Sequence, residues 1–296
     1  MALSTLQLTI AAEKSVQAAS KAVAPLKLFA TSFSAAEASK GNVIRVPVFN
    51  VGEAAAFNVD SNNYCGSTQD VAGVDVTLDQ HLVKSVYFDD RDFAECEVDF
   101  FAGAGEGIGR VLSRGIVDGA MALLVKANIT DEHVFTVANA KTKDVVANLY
   151  AVADSNGLNP ADCVLVVKPT VFANLLSILD ASAYGGRDAI LAGLIPGLFG
   201  FKGVFPCNSL STAAGEKLNG VILPSETLGI ASRVLRVASP SAYEEIGTKT
   251  DEATGLTFGF RRFGNACTGR NYIAGEVLAG FKILQDAGVR LVESAT

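Results

Sequence analysis

The chain has 296 residues, enough for one large domain or two modest ones with a real core. Its net charge is −7, from 24 basic and 31 acidic residues, and Arg261-Arg262 is the only adjacent basic pair. That excludes the basic patch or stripe of a protein that grips nucleic acid directly. Hydrophobic residues make up 49% of the chain and the mean hydropathy is +0.32. Two readings stay open: a core rich in Ala and Val, or apolar surface buried between subunits.

In chain order, residues 8–24 carry Leu8, Ile10, Ala11, Val16, Ala19 and Val23 and predict a helix that Pro25 ends. Before Lys14 there is no basic residue, so the start lacks the basic n-region of a signal peptide and is read as cytosolic. Ser32–Lys40 is small and polar and reads as a linker. Strand pattern begins after Gly41 with Val43, Ile44, Val46 and Val48, and Pro47 restricts that strand to an edge. A polar tip, Asp60–Ser67, precedes the return through Val74, Val76 and Leu78, which His81–Phe88 continues more loosely. The whole of 41–88 reads as a long two-stranded excursion. Isolated hairpins are marginal in water, so its apolar face is expected to be covered, and a neighbouring molecule is the expected cover.

Helical period takes over across Asp92–Asn128, with Ile108, Leu112, Ile116, Ala120 and Leu124 on one stripe. Gly103, Gly105, Gly107, Gly109, Gly115 and Gly119 interrupt it. Each costs about 1 kcal/mol relative to Ala, so the helix proper is expected to start near Gly107. Gly115 and Gly119, four apart, are expected to admit another backbone. Residues 135–240 read as a separate α/β unit. Thr142 caps a helix ended by Gly157, Cys163–Val167 is a buried strand, and Pro169 opens a second helix. Val221–Leu223 and Leu228–Ala231 read as short strands. The apolar run Ala189–Phe201, 13 residues broken by Gly193, Pro196, Gly197 and Gly200, is too short to span a bilayer. After Pro240 strands return at Leu256–Phe263, Asn271–Ala274 and Val277–Leu284.

No motif carries catalysis. Gly103–Gly109 has the wrong spacing for a dinucleotide fingerprint and follows an acidic stretch, not a buried strand. His81 and His133, the two histidines, lie in different segments, and no G-x-S-x-G supplies a nucleophile. The five cysteines are widely spaced without a C-x-x-C and read as free thiols. Asp89, Asp90, Asp92, Glu95 and Glu97 form an acidic cluster that either holds a hard cation or is a solvated hinge. No catalytic, cofactor or metal residue is expected.

The order of these parts resembles the major capsid proteins of tailed double-stranded-DNA phages, a fold shared with encapsulins and herpesvirus capsid floors. Gly41–Phe88 is similar to the family's extended loop and Gly107–Asn128 to its spine helix. Val164–Phe172 and Gly200–Leu210 are similar to its axial domain. The resemblance implies an α+β fold with an N-terminal arm (1–40), an extended β-hairpin loop (41–88) and a peripheral domain with the spine helix (89–134). A central axial domain (135–240) and a return to the peripheral domain (241–296) complete it.

As function, it implies a non-enzymatic subunit that self-assembles into hexamers and pentamers of an icosahedral capsid enclosing double-stranded DNA. Such a subunit is built in the host cytoplasm and resides in the virion. A separate scaffolding protein, or none, is implied because the N-terminus has no long charged helical extension, and a portal is a further implied partner. An encapsulin-type compartment, or an α/β enzyme, is the alternative. Phe57 and Tyr64 near the loop tip, with Leu194 and Phe199, are the candidate subunit-interface residues; the run Ala189–Phe201 that carries the last two reads either as a loop around a capsomer axis or as a buried axial-domain turn.

Overall fold

The computed structural model describes residues 2–33, 42–50, 70–89, 100–141, 144–178, 195–196, 200–210, 216–265 and 268–293. Helix α1 (Ala2–Val23) opens the chain, and Pro25 enters the first turn of the 3-10 helix Ala24–Leu28 behind it, where its missing N–H leaves no bond unmade. Strands β1 (Ala30–Phe33), β2 (Val43–Asn50), β3 (Asp70–Thr77) and β4 (Gln80–Asp89) follow, then helix α2 (Phe100–Met121). Next come β5 (Asp131–Val134), α3 (Val145–Ser155), β6 (Cys163–Val167), α4 (Pro169–Ile178), β7 (Ile195–Pro196), β8 (Gly203–Pro206), β9 (Leu218–Pro224) and β10 (Leu228–Arg233). Strands β11 (Glu245–Thr250), β12 (Thr257–Asn265), β13 (Arg270–Ile283) and β14 (Val289–Val292) complete it.

Two sheets organise these elements. The first runs β1-β10-β13-β12-β11, with β4 antiparallel along the other side of β13 from Arg270 to Ala279. The second runs β5-β14-β9-β6-β8-β7, and α3 and α4 pack on it through Leu149, Val171 and Leu175. β6 is buried along its whole length, as its unbroken apolar run predicts for a strand covered on both faces. Gly157, at φ 70°, ends α3 in the left-handed conformation that glycine adopts without steric cost. Asp144 stands at the N-cap of α3, and Thr142, the expected cap, lies outside the described residues.

The sheets do not follow the sequence segments. β10, from the expected axial segment, pairs with β1 and β13 in the first sheet, while β14, from the expected return segment, joins β5 and β9 in the second. The chain crosses between sheets in the short turn after Pro224, where Glu226 takes φ 69°. β4 is likewise a strand of the first sheet and not a continuation of the hairpin, and Asn271–Ala274 and Val277–Leu284 are one strand, β13. Pairing partners far along the chain decide strand membership, and local pattern does not encode them.

Helix α2 also departs from expectation at both ends. It starts at Phe100, so Gly103 and Gly105 lie inside it, and it ends at Met121. Beyond Met121 the chain turns, with Asn128 Nδ2 donating to Leu123 O at 2.8 Å. A Cβ built on Gly105 would lie 2.2 Å from Ala11 O, and one on Gly109 2.2 Å from Ser15 O. These two glycines, one turn apart, seat α1 against α2 backbone to backbone. Gly115 and Gly119 instead face side chains, Leu82 for the first and Gln80 and Phe281 for the second. The apolar face of α1 (Leu8, Ala11, Val16, Ala19, Val23) therefore belongs to the chain's own core, and the described part of the N-terminal arm is not a free strap.

Candidate assembly surfaces

The hairpin is the first sequence-derived candidate. β2 and β3 pair over Val43–Asn50 and Asp70–Thr77, with Pro47 opposite Gly73, and this two-stranded sheet gives Pro47 the edge strand it requires. Ile44, Val46, Val76 and Leu78 are buried with Ala231 and Leu278, beside Phe33, Leu235 and Leu284. Gly280 makes this possible: a Cβ there would lie 2.3 Å from Thr77 O. The base of the hairpin is thus covered by the chain's own first sheet, which corrects the expectation that a neighbour must cover its face. The tip is a separate matter. Phe57 and Tyr64, like Leu194 and Phe199 of the apolar run, lie outside the described residues, as do Asp90, Asp92, Glu95 and Glu97 of the acidic cluster. Asp89 is described, and its Oδ1 accepts from Arg270 Nε at 3.0 Å.

The first sheet has an inner face toward α2 and an outer face. Ile108 and Leu112 of α2 sit over Gly275, and Leu82, Val86, Ile273 and Val277 share that inner side. On the outer side, across β4, β13 and β12 and the turn before β11, four rings form a row. Tyr87 contacts Tyr272 at 6.0 Å, Tyr272 stacks on Phe263 at 5.0 Å with 4° between planes, and Phe263 meets Tyr243 edge-on at 5.9 Å. Arg270 lies 4.5 Å over Tyr87 and Arg261 5.2 Å over Tyr243, cation–π geometry in both cases. Composition alone did not reveal this row; its only trace in the sequence is alternation, Phe263 within β12 and Tyr272 within β13, whose register the fold supplies. Tyr87 is about half exposed.

Beside the ring row, buried Glu276 takes the guanidinium of Arg261, and His81 Nε2 stands 3.3 Å from its Oε2. His81 is therefore tied to the Glu276–Arg261 pair on the outer face. His133 borders a groove of about 520 Å³ lined by Phe135, Asn139, Val145, Asn148, Ala151, Val152 and Ser155. No carboxylate lines it among the described residues, and the Ser155 hydroxyl donates to Val152 O at 3.0 Å in its own helix, so the described lining does not form the nucleophile–base–carboxylate chain of a hydrolase. Cys163 and Cys207 are buried free thiols. Burial, with Asp162 nearby, pushes Cys163 up to about 11, and burial raises Cys207 as well. Such thiols are inert fillers at neutral pH.

The largest fully buried side chain is Arg290 of β14. Its guanidinium pairs with Glu216 and, at 3.3 Å, with Glu132, which also meets Lys126 at 3.6 Å. Glu216 is thus the counter-ion of a buried cation. Sequence reading missed Arg290 because an isolated Arg in a strand carries no sign of its burial.

No protein-family model and no curated protein matches the sequence. Solved structures do match in three dimensions. The capsid of the cyanophage P-SCSP1u is 16% identical with a TM-score of 0.58, over 90% of this chain and 86% of that one. The capsid of a native GTA particle is 12% identical with a TM-score of 0.59, over 93% and 91%. A virus-like particle from Pyrococcus furiosus is 12% identical with a TM-score of 0.57, over 95% and 97%. At these identities the likeness is one of fold. It extends over nearly the whole chain, so the α+β capsid fold expected from the order of the sequence elements is the fold the chain adopts.

Proposed function

We propose that the protein is the structural subunit of an icosahedral phage capsid, self-assembling into hexamers and pentamers around double-stranded DNA. The observation that carries this is the match of fold over at least nine-tenths of the chain to capsid subunits. The ion pairs of buried Glu276 with Arg261 and of buried Arg290 with Glu216 link segments of the fold to one another. The net charge of −7 also suits a container wall, because a negative surface does not glue packaged DNA in place.

In this reading the hairpin tip with Phe57 and Tyr64 lies across an adjacent subunit, and Leu194 and Phe199 line the capsomer axis. A separate scaffolding protein and a portal complete assembly in the host cytoplasm, and the virion is the final location. Contacts of this heterologous kind close into rings. Burying one aromatic side chain at the tip contributes roughly 1.5–3 kcal/mol.

The alternative is a compartment shell holding a protein cargo, and the virus-like particle from Pyrococcus furiosus shares the fold as the phage capsid does. Electron microscopy of the protein expressed alone, with analysis of what co-purifies, tests both. Closed shells containing one cargo protein favour the compartment. Shells or capsomers that need a co-expressed scaffold favour the phage capsid. A persistent monomer in both conditions overturns the shell reading.

A further inference from the structure

β4 pairs with β13 along one side only; among the described residues its other side is an open edge ten residues long. Alternate N–H and C=O groups of such a strand point outward and template pairing with another chain. Lys84 is an exposed cation within this edge, and the residues on either side of it, Val83, Ser85 and Val86, are uncharged. Val83 and Tyr87, on the outer face, are each about half exposed, and the strand carries neither proline nor bulge.

From this strand we infer an isologous contact between two copies of the chain, formed by antiparallel pairing of β4 with β4 about a twofold axis at Ser85. Directly opposed residues in an antiparallel pair share a face, so the axis must pass through a residue position. The three central registers differ sharply in chemistry. An axis at Lys84 opposes Lys84 to itself and Asp79 to Asp89, which is repulsive. An axis at Val86 sets Val83 against Asp89. An axis at Ser85 opposes Asp89 to His81 and Tyr87 to Val83 on the outer face, and Leu82 to Phe88 on the inner face. Aromatic–β-branched pairs of this kind stabilise cross-strand contacts. This register also sets Lys84 against Val86 on the inner face, but of the three it alone avoids both opposed like charges and a carboxylate against Val83.

A separate observation on α2 points to the same neighbour. Gly105, Gly109, Gly115 and Gly119 each have a reason within the chain, since a Cβ on any of them would clash. Gly103 and Gly107 have none among the described residues, where nothing lies within 4 Å of a Cβ at either position. They continue, through the half-exposed Val111, the flank that meets β4 at Gly115 and Gly119. α2 straddles β4 and β13, because a Cβ on Gly119 would touch both Gln80 and Phe281. Pairing β4 with its copy therefore sets the two α2 helices about two strand spacings apart, roughly 10 Å. That is the upper end of the interaxial distance of packed helices, and glycine lets them reach it.

The pairing does not require a closed shell, so the two readings fail separately. The test is mild oxidation of the purified full-length Ser85→Cys variant, with the unmodified chain alongside to report background from its own cysteines. Non-reducing electrophoresis and peptide mass spectrometry then read the product. A covalent dimer bridged between the two copies of position 85 is expected, with less product at Lys84→Cys and Val86→Cys, which stand off the axis. Adding Val83→Lys, an exposed change that leaves the subunit folded by circular dichroism, is expected to abolish the dimer. Equal yields at positions 84, 85 and 86, no peptide bridged between the two copies of position 85, or a dimer that survives Val83→Lys overturns the inference. Shells lacking that bridged peptide overturn it while leaving the shell intact.

Discussion

Gly105 of α2 lies so close to α1 that a Cβ on it would stand 2.2 Å from the carbonyl oxygen of Ala11. Two turns of backbone are held together by the absence of a side chain. Gly105→Ala is therefore expected to force α1 and α2 apart at a cost of about 1–3 kcal/mol, although Ala is the better helix former. Gly107→Ala, in open space on the same helix, is expected to stabilise the isolated subunit by about 0.5–1 kcal/mol. Urea denaturation of the two variants checks the sign of each, and a Gly105→Ala variant as stable as the parent sinks the helix–helix account.

The two ends of the hairpin are expected to respond differently to a charge. Val46 is buried with Ala231 and Leu278, so Val46→Asp strands a carboxylate against apolar neighbours, a loss on the order of 3 kcal/mol. It should lower subunit stability even without assembly. Phe57→Asp, at the tip proposed to lie on a neighbour, is expected to leave stability unchanged and to weaken assembly. Paired melting and particle-yield measurements separate them; normal particle yield from Phe57→Asp removes the tip from the interface.

Arg290 is fully buried and depends on Glu216 and Glu132 for its counter-charge. Glu216→Ala leaves a buried guanidinium short of its main partner and is expected to cost about 3–5 kcal/mol. Glu132→Ala, which removes the longer contact at 3.3 Å, is expected to cost less. Arg290→Met, which removes the charge itself, is expected to be milder than Glu216→Ala. Denaturant midpoints in that order test the ranking, and a Glu216→Ala variant within experimental error of the parent contradicts it.

Cys163 holds its proton more tightly in the folded chain, up to about 11 against an ordinary 9.0, chiefly through burial. Between those values the unfolded chain has released the proton and the folded chain has not, so the contribution of this group to stability falls as pH rises from about 9 toward 11. At about pH 8, below both values, the folded protein should resist alkylation at Cys163 and react there only on unfolding. Peptide mapping after iodoacetamide treatment reads this directly, and rapid labelling of Cys163 in the native protein contradicts it.

Local physics was legible in the chain. The unbroken Cys163–Val167 run became β6, Pro169 opened α4, Gly157 closed α3, and the stripe Ile108–Leu112–Ile116–Ala120 became the buried face of α2. Each depends on neighbours within a few residues, which periodicity and backbone preference report. The order of elements also pointed to the capsid fold. The assembly candidates were less legible. The tip residues were chosen from their place in a loop, whereas the Tyr87–Tyr272–Phe263–Tyr243 row joins residues scattered over the chain.

By itself, then, the sequence determined the helices, most of the strands, the order that marks the fold, and the lack of a catalytic motif. Tertiary structure alone decided that Gly105 and Gly109, and not Gly115 and Gly119, receive another backbone. It also decided that β10 and β14 exchange sheets, that the base of the hairpin rests on its own chain, and that β4, among the described residues, presents an open edge. The reason is one of range. A residue's conformational preference and periodicity are properties of its neighbours in sequence. What its side chain meets depends on strand register and helix crossing between segments far apart in the chain, such as those of His81 and Glu276.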